Sequence, residues 1–450
     1  MDRSRRDFVV RMLAGAAGAA LAPGFLSFAA RADIAALRSR VSFVTGTGRR
    51  QMAYDALKPF REQIRTAISG KQVILKANNV SVGYPACATH VDTLRGLLDF
   101  FKEMTTQQIQ IAEAPASYQG ATATFQEYGY APLATEYNVK LVDWNTSTYS
   151  EIDGIQTLYR GILKMRIIEP LTNSANFIVS VARMKTHWTA VATLSVKNIL
   201  MCAPWNGNST AQSNQVERMK MHGGQWWDSV NNNNDFSNRY LTLNMPTVAK
   251  YAWPDLAFVD GYEGMEGDGP ERGTPVASRI ALAGFDPVAV DRIGTELMGI
   301  NPFYMQYVKK CADLGLGNWD CSLIDVLGPP IGSYIKKYAM APSFAKQVAW
   351  MGAAQPSVCN YTTVSIRSMS PEQRGSIPIV MPRTTYSRIS VTDLQGRPVR
   401  TLVAHTIPEG RHTITWDHCD DSGHRVPAGI YIMRIQSRAG DVRQRITVGW

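Results

Sequence analysis

The run Gln72-Val-Ile-Leu-Lys76, together with the residues after it, indicates the fold class. This run is short and apolar and ends in a charged residue, which predicts a buried β-strand. Thr89 follows, with the carboxylate of Asp92 three residues later, a pair that caps the start of a helix. Apolar residues then recur at the spacing of one helix face, at Leu94, Leu97, Leu98 and Phe101. A strand followed by an amphipathic helix is the repeating unit of an α/β sheet.

Further apolar runs of strand length continue this alternation along the chain. They are Ile109–Glu113, Lys140–Trp144, Phe177–Ala182, Leu256–Asp260 and Arg279–Ala283. Another helix is predicted to begin at Asp286, a capping carboxylate followed by Pro287, and to end at Gly299. Asp291, one turn into that helix, is expected at the surface. The alternation predicts an α/β domain over residues 33–341, a sheet layered with helices on both faces.

The chain changes character after about residue 341. Residues 342–382 show little periodicity and contain Pro, Ser and Gly, so they are predicted to be a connector. Residues 383–450 then contain short alternating runs separated by turn residues. These runs are residues 388–393, 399–403, 412–416, 429–434 and 443–448. Several short strands at regular spacing predict a small all-β sandwich.

The first 32 residues are predicted to be an export signal. Arg5 and Arg6 lie in a segment that matches the twin-arginine pattern. An uncharged Ala- and Gly-rich stretch follows, and Ala30-Arg31-Ala32 supplies the small residues that a signal peptidase requires. A membrane anchor is the alternative, although Pro23-Gly24 interrupts the stretch. The expected partner is the twin-arginine translocase, and the expected location is the periplasm or the cell surface.

The charge and cysteine content exclude several classes of protein. Lys and Arg total 47 against 37 Asp and Glu, and the net charge of +10 is spread out rather than gathered in one basic stripe. Nucleic acid is therefore not an expected partner. The six cysteines include no Cys-x-x-Cys pair, so the chain has no iron–sulfur cluster motif and no zinc knuckle. After residue 32 no run reaches about 18 uninterrupted apolar residues, so no mature transmembrane segment is expected.

A series of short motifs occurs in order between about residues 72 and 328. They are Lys76-Ala77-Asn78, Thr89-His90, Lys185-Thr-His187, Ser195-Val-Lys197-Asn198, Asp260-Gly261, Glu266-Gly-Asp-Gly-Pro270, Asp286–Asp291 and Leu314–Gly317. Together they resemble the domain-of-unknown-function 362 family. Many members of that family also carry iron–sulfur modules or cysteine clusters, which are missing from this chain. The resemblance implies an α/β domain whose activity is not settled.

The C-terminal residues contain a second set of motifs. These are Asp393–Val399, Trp416-Asp417, Asp421-Ser-Gly423 and Pro427–Tyr431. Over residues 386–450 they resemble the immunoglobulin-like module of the flagellar hook-capping protein FlgD. That resemblance implies a small immunoglobulin-like sandwich, which serves either as a sorting signal for the cell surface or as a structural appendage.

Basic and polar side chains are predicted near the carboxyl ends of the strands, where α/β sheets bind ligands. The candidate ligand-binding residues are Lys76, Glu113, Lys185, His187, Lys197, Asn198 and His222. Lysine and histidine suit an unknown small ligand that carries negative charge. The alternatives are that Glu113 is a solvated strand end and that His187 is simply half-buried.

The segment Asp260–Pro270 is rich in acids and glycines and predicts a cation site. Asp260, Glu266 and Asp268 are the candidate metal ligands, because carboxylates brought together in a loop repel one another unless a cation compensates them. A divalent metal is therefore a possible cofactor. Basic side chains could compensate these acids instead, or the acids could be solvated turn residues.

Two classes of function remain open at this point. The chain lacks the serine-elbow, His-Glu-x-x-His and phosphate-loop signatures, so its sequence does not predict a reaction. One class is an exported protein that binds a metal, cofactor or anionic ligand at the strand ends and acidic loop, with or without catalysis. The other is a noncatalytic ligand-binding or cell-surface protein that its C-terminal sandwich tethers.

Changing Arg5→Lys and Arg6→Lys together should retain the precursor inside the cell, because the twin-arginine receptor reads the arginine pair itself. The measurement is the amount of processed protein outside the cytoplasm, compared with a variant that changes Arg40→Lys. Unchanged export of the double variant would contradict the twin-arginine prediction.

Overall fold

The computed structural model describes residues 38–116, 119–157, 161–204, 216–223, 234–352, 376–381, 385–408, 410–437 and 440–448. The predicted signal peptide, residues 1–32, lies outside these ranges, as do residues 353–375 of the predicted connector. The chain divides into two compact units, Met1–Pro329 with Tyr334–Val358 and Pro330–Ser333 with Cys359–Trp450. Within the described ranges, no helix is long and apolar enough to cross a membrane.

The first unit alternates strands and helices as the sequence predicts. Its strands are β1 (Ser39–Thr45), β2 (Gln72–Lys76), β3 (Gln110–Glu113), β4 (Lys140–Asp143), β5 (Tyr149–Thr157), β6 (Gly161–Ile168), β7 (Asn176–His187), β8 (Val191–Thr193), β9 (Leu256–Glu266), β10 (Thr274–Val276), β11 (Ile280–Gly284) and β12 (Ile324–Leu327). Its helices are α1 (Arg49–Leu57), α2 (Arg61–Ala67), α3 (Val91–Lys102), α4 (Gly120–Glu127), α5 (Leu133–Glu136), α6 (Ser195–Leu200), α7 (Val216–Met221), α8 (Asn234–Ala249), α9 (Pro287–Leu297), α10 (Gln306–Asp313) and α11 (Phe344–Val348).

Ten of these strands form one mixed sheet. The order along its main path is β12-β1-β11-β9-β7-β2-β3-β4, with β8 paired to β7 and β10 paired to β9. Strands β9, β7, β2, β3 and β4 run parallel to one another, whereas β11 is antiparallel to both of its neighbours. The carboxyl ends of the five parallel strands therefore lie along the same edge of the sheet.

Apolar side chains on β2, β7 and α3 explain why these elements pack together. Leu94, Leu97, Leu98 and Phe101 of α3 are all fully buried, which is the face that the sequence spacing predicts. They share one core with Val73 and Leu75 of β2 and with Phe177, Val179 and Val181 of β7. The predicted fold class, a large α/β sheet with helices, is confirmed. The antiparallel pair β5–β6 is an element that the sequence analysis does not predict.

The second unit consists of antiparallel strands. They are β13 (Ser376–Met381), β14 (Thr385–Thr392), β15 (Pro398–Ile407), β16 (Gly410–Thr415), β17 (Gly429–Ser437) and β18 (Gly440–Val448). Four of them form a sheet in the order β15-β14-β17-β18, and β13 pairs with β16. The predicted all-β module is confirmed. Strand β13 and helix α11 lie within residues 342–382, so this predicted connector contains regular structure, and β13 belongs to the β module because it pairs with β16.

Trp416→Ala should destabilise this module by about 3–5 kcal/mol, because it empties a large volume in a small core. Trp416 is 2% exposed, its ring lies 5.6 Å from that of Tyr431, and its Nε1 donates to the carbonyl of Cys419 over 2.9 Å. Limited proteolysis of the full chain, with the cleavage sites mapped, measures the effect. The control is Leu394→Ala, since Leu394 is 58% exposed. Equal protease resistance of both variants would count against Trp416 as the centre of the core.

Candidate functional site

The candidate site begins at the carboxyl ends of β2 and β3, which lie side by side. Lys76 closes β2 and is in register with Ala112 of β3 and with Ser180 of β7. Glu113, the last residue of β3, follows Ala112 directly. Parallel pairing therefore brings a lysine and a glutamate from distant parts of the chain to the same edge of the sheet.

Lys76 and Glu113 form a buried ion pair, with 2.6 Å between Nζ and Oε1. Glu113 also accepts hydrogen bonds from the backbone N–H groups of Asn79, at 2.6 Å, and Ala114, at 2.8 Å. Lys76 also donates to Oδ1 of Asn198 over 2.8 Å. Glu113 is thus not a solvated strand end, and its negative charge is already compensated within the protein.

Asn198 connects this ion pair to helix α6. Its amide nitrogen donates to the carbonyl of Lys76 over 3.3 Å and to Oγ of Ser180 over 3.1 Å. Since Asn198 and Lys197 are neighbours on α6, these bonds also fix the position of Lys197. The candidates from strand and helix therefore come together in the structure.

Asp291 holds the start of α6. Its carboxylate accepts hydrogen bonds from the backbone N–H groups of Ser195, at 2.8 Å, and Val196, at 2.9 Å, and from the Ser195 hydroxyl, at 2.5 Å. It therefore compensates the unpaired N–H groups of the first helical turn. Burial raises the pKa of Asp291 to about 7. The expected surface position of Asp291 is wrong, because every residue of α9 is buried.

Two basic candidates lie near the end of β7, two residues apart. Lys185 is 0% exposed, and its Nζ donates to the carbonyl of Cys87 over 2.6 Å. Burial lowers the pKa of Lys185 to about 8. Nδ1 of His187 accepts from the backbone N–H of Thr189 over 3.0 Å, so its proton is on Nε2. Burial, followed by the charge of Lys197, holds the pKa of His187 well below its ordinary value.

Lys197 is the least compensated group of the site. The residue is 7% exposed, and among the described residues its ammonium has neither a hydrogen-bond acceptor nor a carboxylate partner. Burial lowers its pKa far below the ordinary value, and the charges of Lys185, Arg218 and Lys76 lower it further. An amine with no acceptor in the protein is expected to find one in a ligand.

Arg218 on α7 and His222 in the turn after it also interact electrostatically with Lys197. The guanidinium of Arg218 donates to the carbonyl of Ala114, and burial lowers its pKa. Nδ1 of His222 lies 2.6 Å from Oγ of Ser237. Burial, with the charges of Lys197 and Arg218, lowers the pKa of His222 to about 3. The sequence analysis missed Arg218, since only its place in the fold distinguishes it from other arginines.

These basic side chains act on one another electrostatically, and we refer to them as the basic cluster. Its members are Lys76, Lys185, His187, Lys197, Arg218 and His222. Glu113 forms an ion pair with one of them. The seven candidate ligand-binding residues thus lie in or beside a single buried group whose net charge favours an anion.

Two strained backbone positions lie next to the cluster. Val80 has φ of 63° and Val191 has φ of 65°, in the left-handed region that β-branched residues avoid. Val80 follows Asn79, which donates to Glu113, while Val191 donates its N–H to Gln347 Oε1 over 2.8 Å. Such conformations cost of order 1–3 kcal/mol each and persist only where surrounding contacts impose them.

The predicted metal ligands do not come together. Strand β9 continues through the predicted loop to Glu266, and its register against β7 shifts between Asp260 and Met265. Asp260 accepts from the Thr93 hydroxyl over 2.6 Å and lies 3.6 Å from Nε of Arg49, while Asp268 is exposed. Among the described residues, no group of three or more His, Cys, Asp or Glu side chains could hold a metal ion. The prediction that Asp260 and Glu266 share one cation therefore gains no support from this geometry.

Comparisons with known proteins give the family of each unit. The family described as "Domain of unknown function (DUF362)" matches residues 73–296, and the FlgD Ig-like domain matches residues 365–441. The "Thylakoid-associated protein sll1697" of Synechocystis sp. is 24% identical over 264 residues, which cover 58% of this chain and 73% of that protein.

Solved structures with partial similarity match different parts of the chain. FlgD from P. aeruginosa is 18% identical, with a TM-score of 0.15, and the match covers 18% of this chain and 63% of that one. A protein from Thermotoga maritima is 11% identical, with a TM-score of 0.28, and the match covers 56% of this chain and 58% of that one. The chain thus spans less than two thirds of each of these two structures. Residues 73–296 of this protein belong to the DUF362 family, and residues 365–441 belong to the FlgD Ig-like family.

Proposed function

We propose that this is an exported protein whose α/β domain binds a small anionic molecule at the basic cluster. The observation that carries the proposal is Lys197, a residue only 7% exposed whose amine has neither an acceptor nor a carboxylate partner in the described part of the chain. Keeping such an amine charged inside a fold is costly, so a fold that holds one normally supplies it with a partner. A bound ligand that accepts a hydrogen bond from Lys197 would explain why the protein keeps this lysine inside the fold.

The balance of charges in the cluster favours an anion over a cation. Lys76 is paired with Glu113, whereas neither Lys185 nor Lys197 has a carboxylate within salt-bridge distance in the described part of the chain. The nearest acceptor of Lys185 is a neutral carbonyl, that of Cys87. A carboxylate or phosphate group would supply the missing negative charge and accept hydrogen bonds from the Nζ groups of both lysines.

The burial of the cluster favours a small ligand. Lys185 is fully buried and Lys197 nearly so, which puts both out of reach of a nucleic acid backbone. Export rests on the twin-arginine segment around Arg5 and Arg6, which also makes the translocase the expected partner. A noncatalytic surface protein tethered by its FlgD Ig-like domain remains the second candidate, because the same ligand site serves binding without catalysis.

Lys197→Met should raise the melting temperature of the free protein and largely abolish its stabilisation by anions. Methionine has a similar volume and carries no amine to desolvate, a change worth about 1–3 kcal/mol, or about 2–4 °C per kcal/mol in a domain of this size. Thermal unfolding is measured with phosphate, sulfate, acetate or oxalate against chloride at constant ionic strength.

The matched control is Lys140→Met, because Lys140 is an exposed residue at the start of β4. That variant should keep the anion shift of the unchanged protein. If none of these anions stabilises the unchanged protein, or if Lys197→Met keeps the full shift, the basic cluster is not an anion site.

Asp260→Asn combined with Glu266→Gln should leave the metal content of the purified protein unchanged. Each of the two carboxylates already has a protein partner: Thr93 for Asp260 and the backbone N–H of Ala339 for Glu266. Elemental analysis of both proteins, purified through the export route, provides the test. Loss of a stoichiometric divalent ion in the double variant would restore the cation site that the sequence predicts.

A further inference from the structure

We propose that Lys197 is a nucleophile that forms an imine with a small carboxylate-bearing carbonyl compound, such as a 2-oxo acid. This inference rests on the proposed function, since the anion site would hold the carboxylate while the amine meets the carbonyl. Three features support it: the absence of a partner for Lys197, its burial among cations, and the proton donors beside it.

The first feature is that the amine of Lys197 is free to react. It has no acceptor among the described residues, and its neighbour Asn198 is held by Lys76 and Ser180, so the backbone at this position is fixed. An ammonium cannot attack a carbonyl, because its electron pair is engaged by the third proton. Burial and the charges of Lys185, Arg218 and Lys76 lower the pKa of Lys197, which favours its neutral, nucleophilic form.

The second feature is that the surrounding cations select the substrate. Lys185 is held at a fixed point by the carbonyl of Cys87 and has no carboxylate partner among the residues described. Its charge would bind the carboxylate of a substrate and bring the adjacent carbonyl carbon to Lys197. An aldehyde or ketone without an acidic group would lack this anchor.

The third feature is a proton supply for the step that loses water. The amine adds to the carbonyl carbon to form a carbinolamine. The hydroxyl then leaves as water, and the two protons that the amine loses end up on this departing oxygen, so no oxidant or reductant is required. Lys185, with its pKa lowered to about 8, and the Nε2–H of His187 are the nearby groups that could donate to the departing hydroxyl.

Trapping the imine by reduction tests this proposal. The full mature chain is incubated with pyruvate and cyanoborohydride at pH 7 and at pH 9, then digested, and the reduced adduct is located by mass spectrometry. We expect the adduct at Lys197, with a lower occupancy at pH 9 than at pH 7, because Lys185 loses the charge that anchors the carboxylate as the pH rises through about 8. Labelling of the exposed Lys140 should rise about tenfold per pH unit, because its ordinary pKa lies above this range.

The pH comparison involves the basic groups of the described residues that interact electrostatically with Lys197. These are Lys76 on β2, Lys185 and His187 on β7, and Arg218 and His222 from α7 and its turn. Lys197→Arg, which replaces the nucleophilic amine with a cationic hydrogen-bond donor, should lose the adduct and retain stabilisation by acetate. Lys140→Arg should keep the Lys197 adduct in full.

Each outcome separates this inference from the function on which it rests. If pyruvate and acetate both stabilise the protein but reduction leaves Lys197 unmodified, the nucleophile is disproved and the anion site remains. Adducts on surface lysines alone would also overturn the inference. Mapping on the unchanged protein decides the question even if Lys197→Arg fails to fold.

Discussion

The buried ion pair between Lys76 and Glu113 is the constraint on which the rest of the site depends. It joins the ends of two parallel strands, and through Asn79 and Asn198 it also positions the loop after β2 and the start of α6. A buried pair of this kind adds little net stability, because desolvation offsets most of the attraction between the charges. Its effect is geometric. Removing either partner would leave an uncompensated charge, and β2, β3 and α6 would lose the contact that holds them together.

The sequence predicts the α/β fold well because its periodicities are local. The apolar run of β2 and the helical spacing of α3 each lie within about a dozen residues, and the structure has both elements where the sequence puts them. The extension of β9 to Glu266 is harder to predict from the sequence, because acidic residues such as Asp260, Glu263 and Glu266 are typical of a loop. Pairing with β10, a tertiary contact, keeps this polar segment in the sheet.

The candidate site is predicted in part for a topological reason. Lys76 and Glu113 could be predicted as site residues because each lies at the end of a strand. Parallel strands end at one edge of the sheet, so this position indicates a binding site even when the contacts are unknown. Arg218 and Asp291 carry no such signal. Each forms a hydrogen bond to a residue more than 90 positions away in the sequence, Arg218 to Ala114 and Asp291 to Ser195. A single sequence does not reveal which such residues are close in space.

The left-handed valines at positions 80 and 191 have a consequence for how a ligand is received. Valine has few rotamers and resists this backbone region, so the loop after β2 and the β7–β8 turn are held in one conformation by contacts inside the protein. Loops that are ordered in advance lose little further conformational freedom when a complex forms. For these two loops, the entropy of association should therefore reflect the immobilised ligand and released water far more than any rearrangement of the chain.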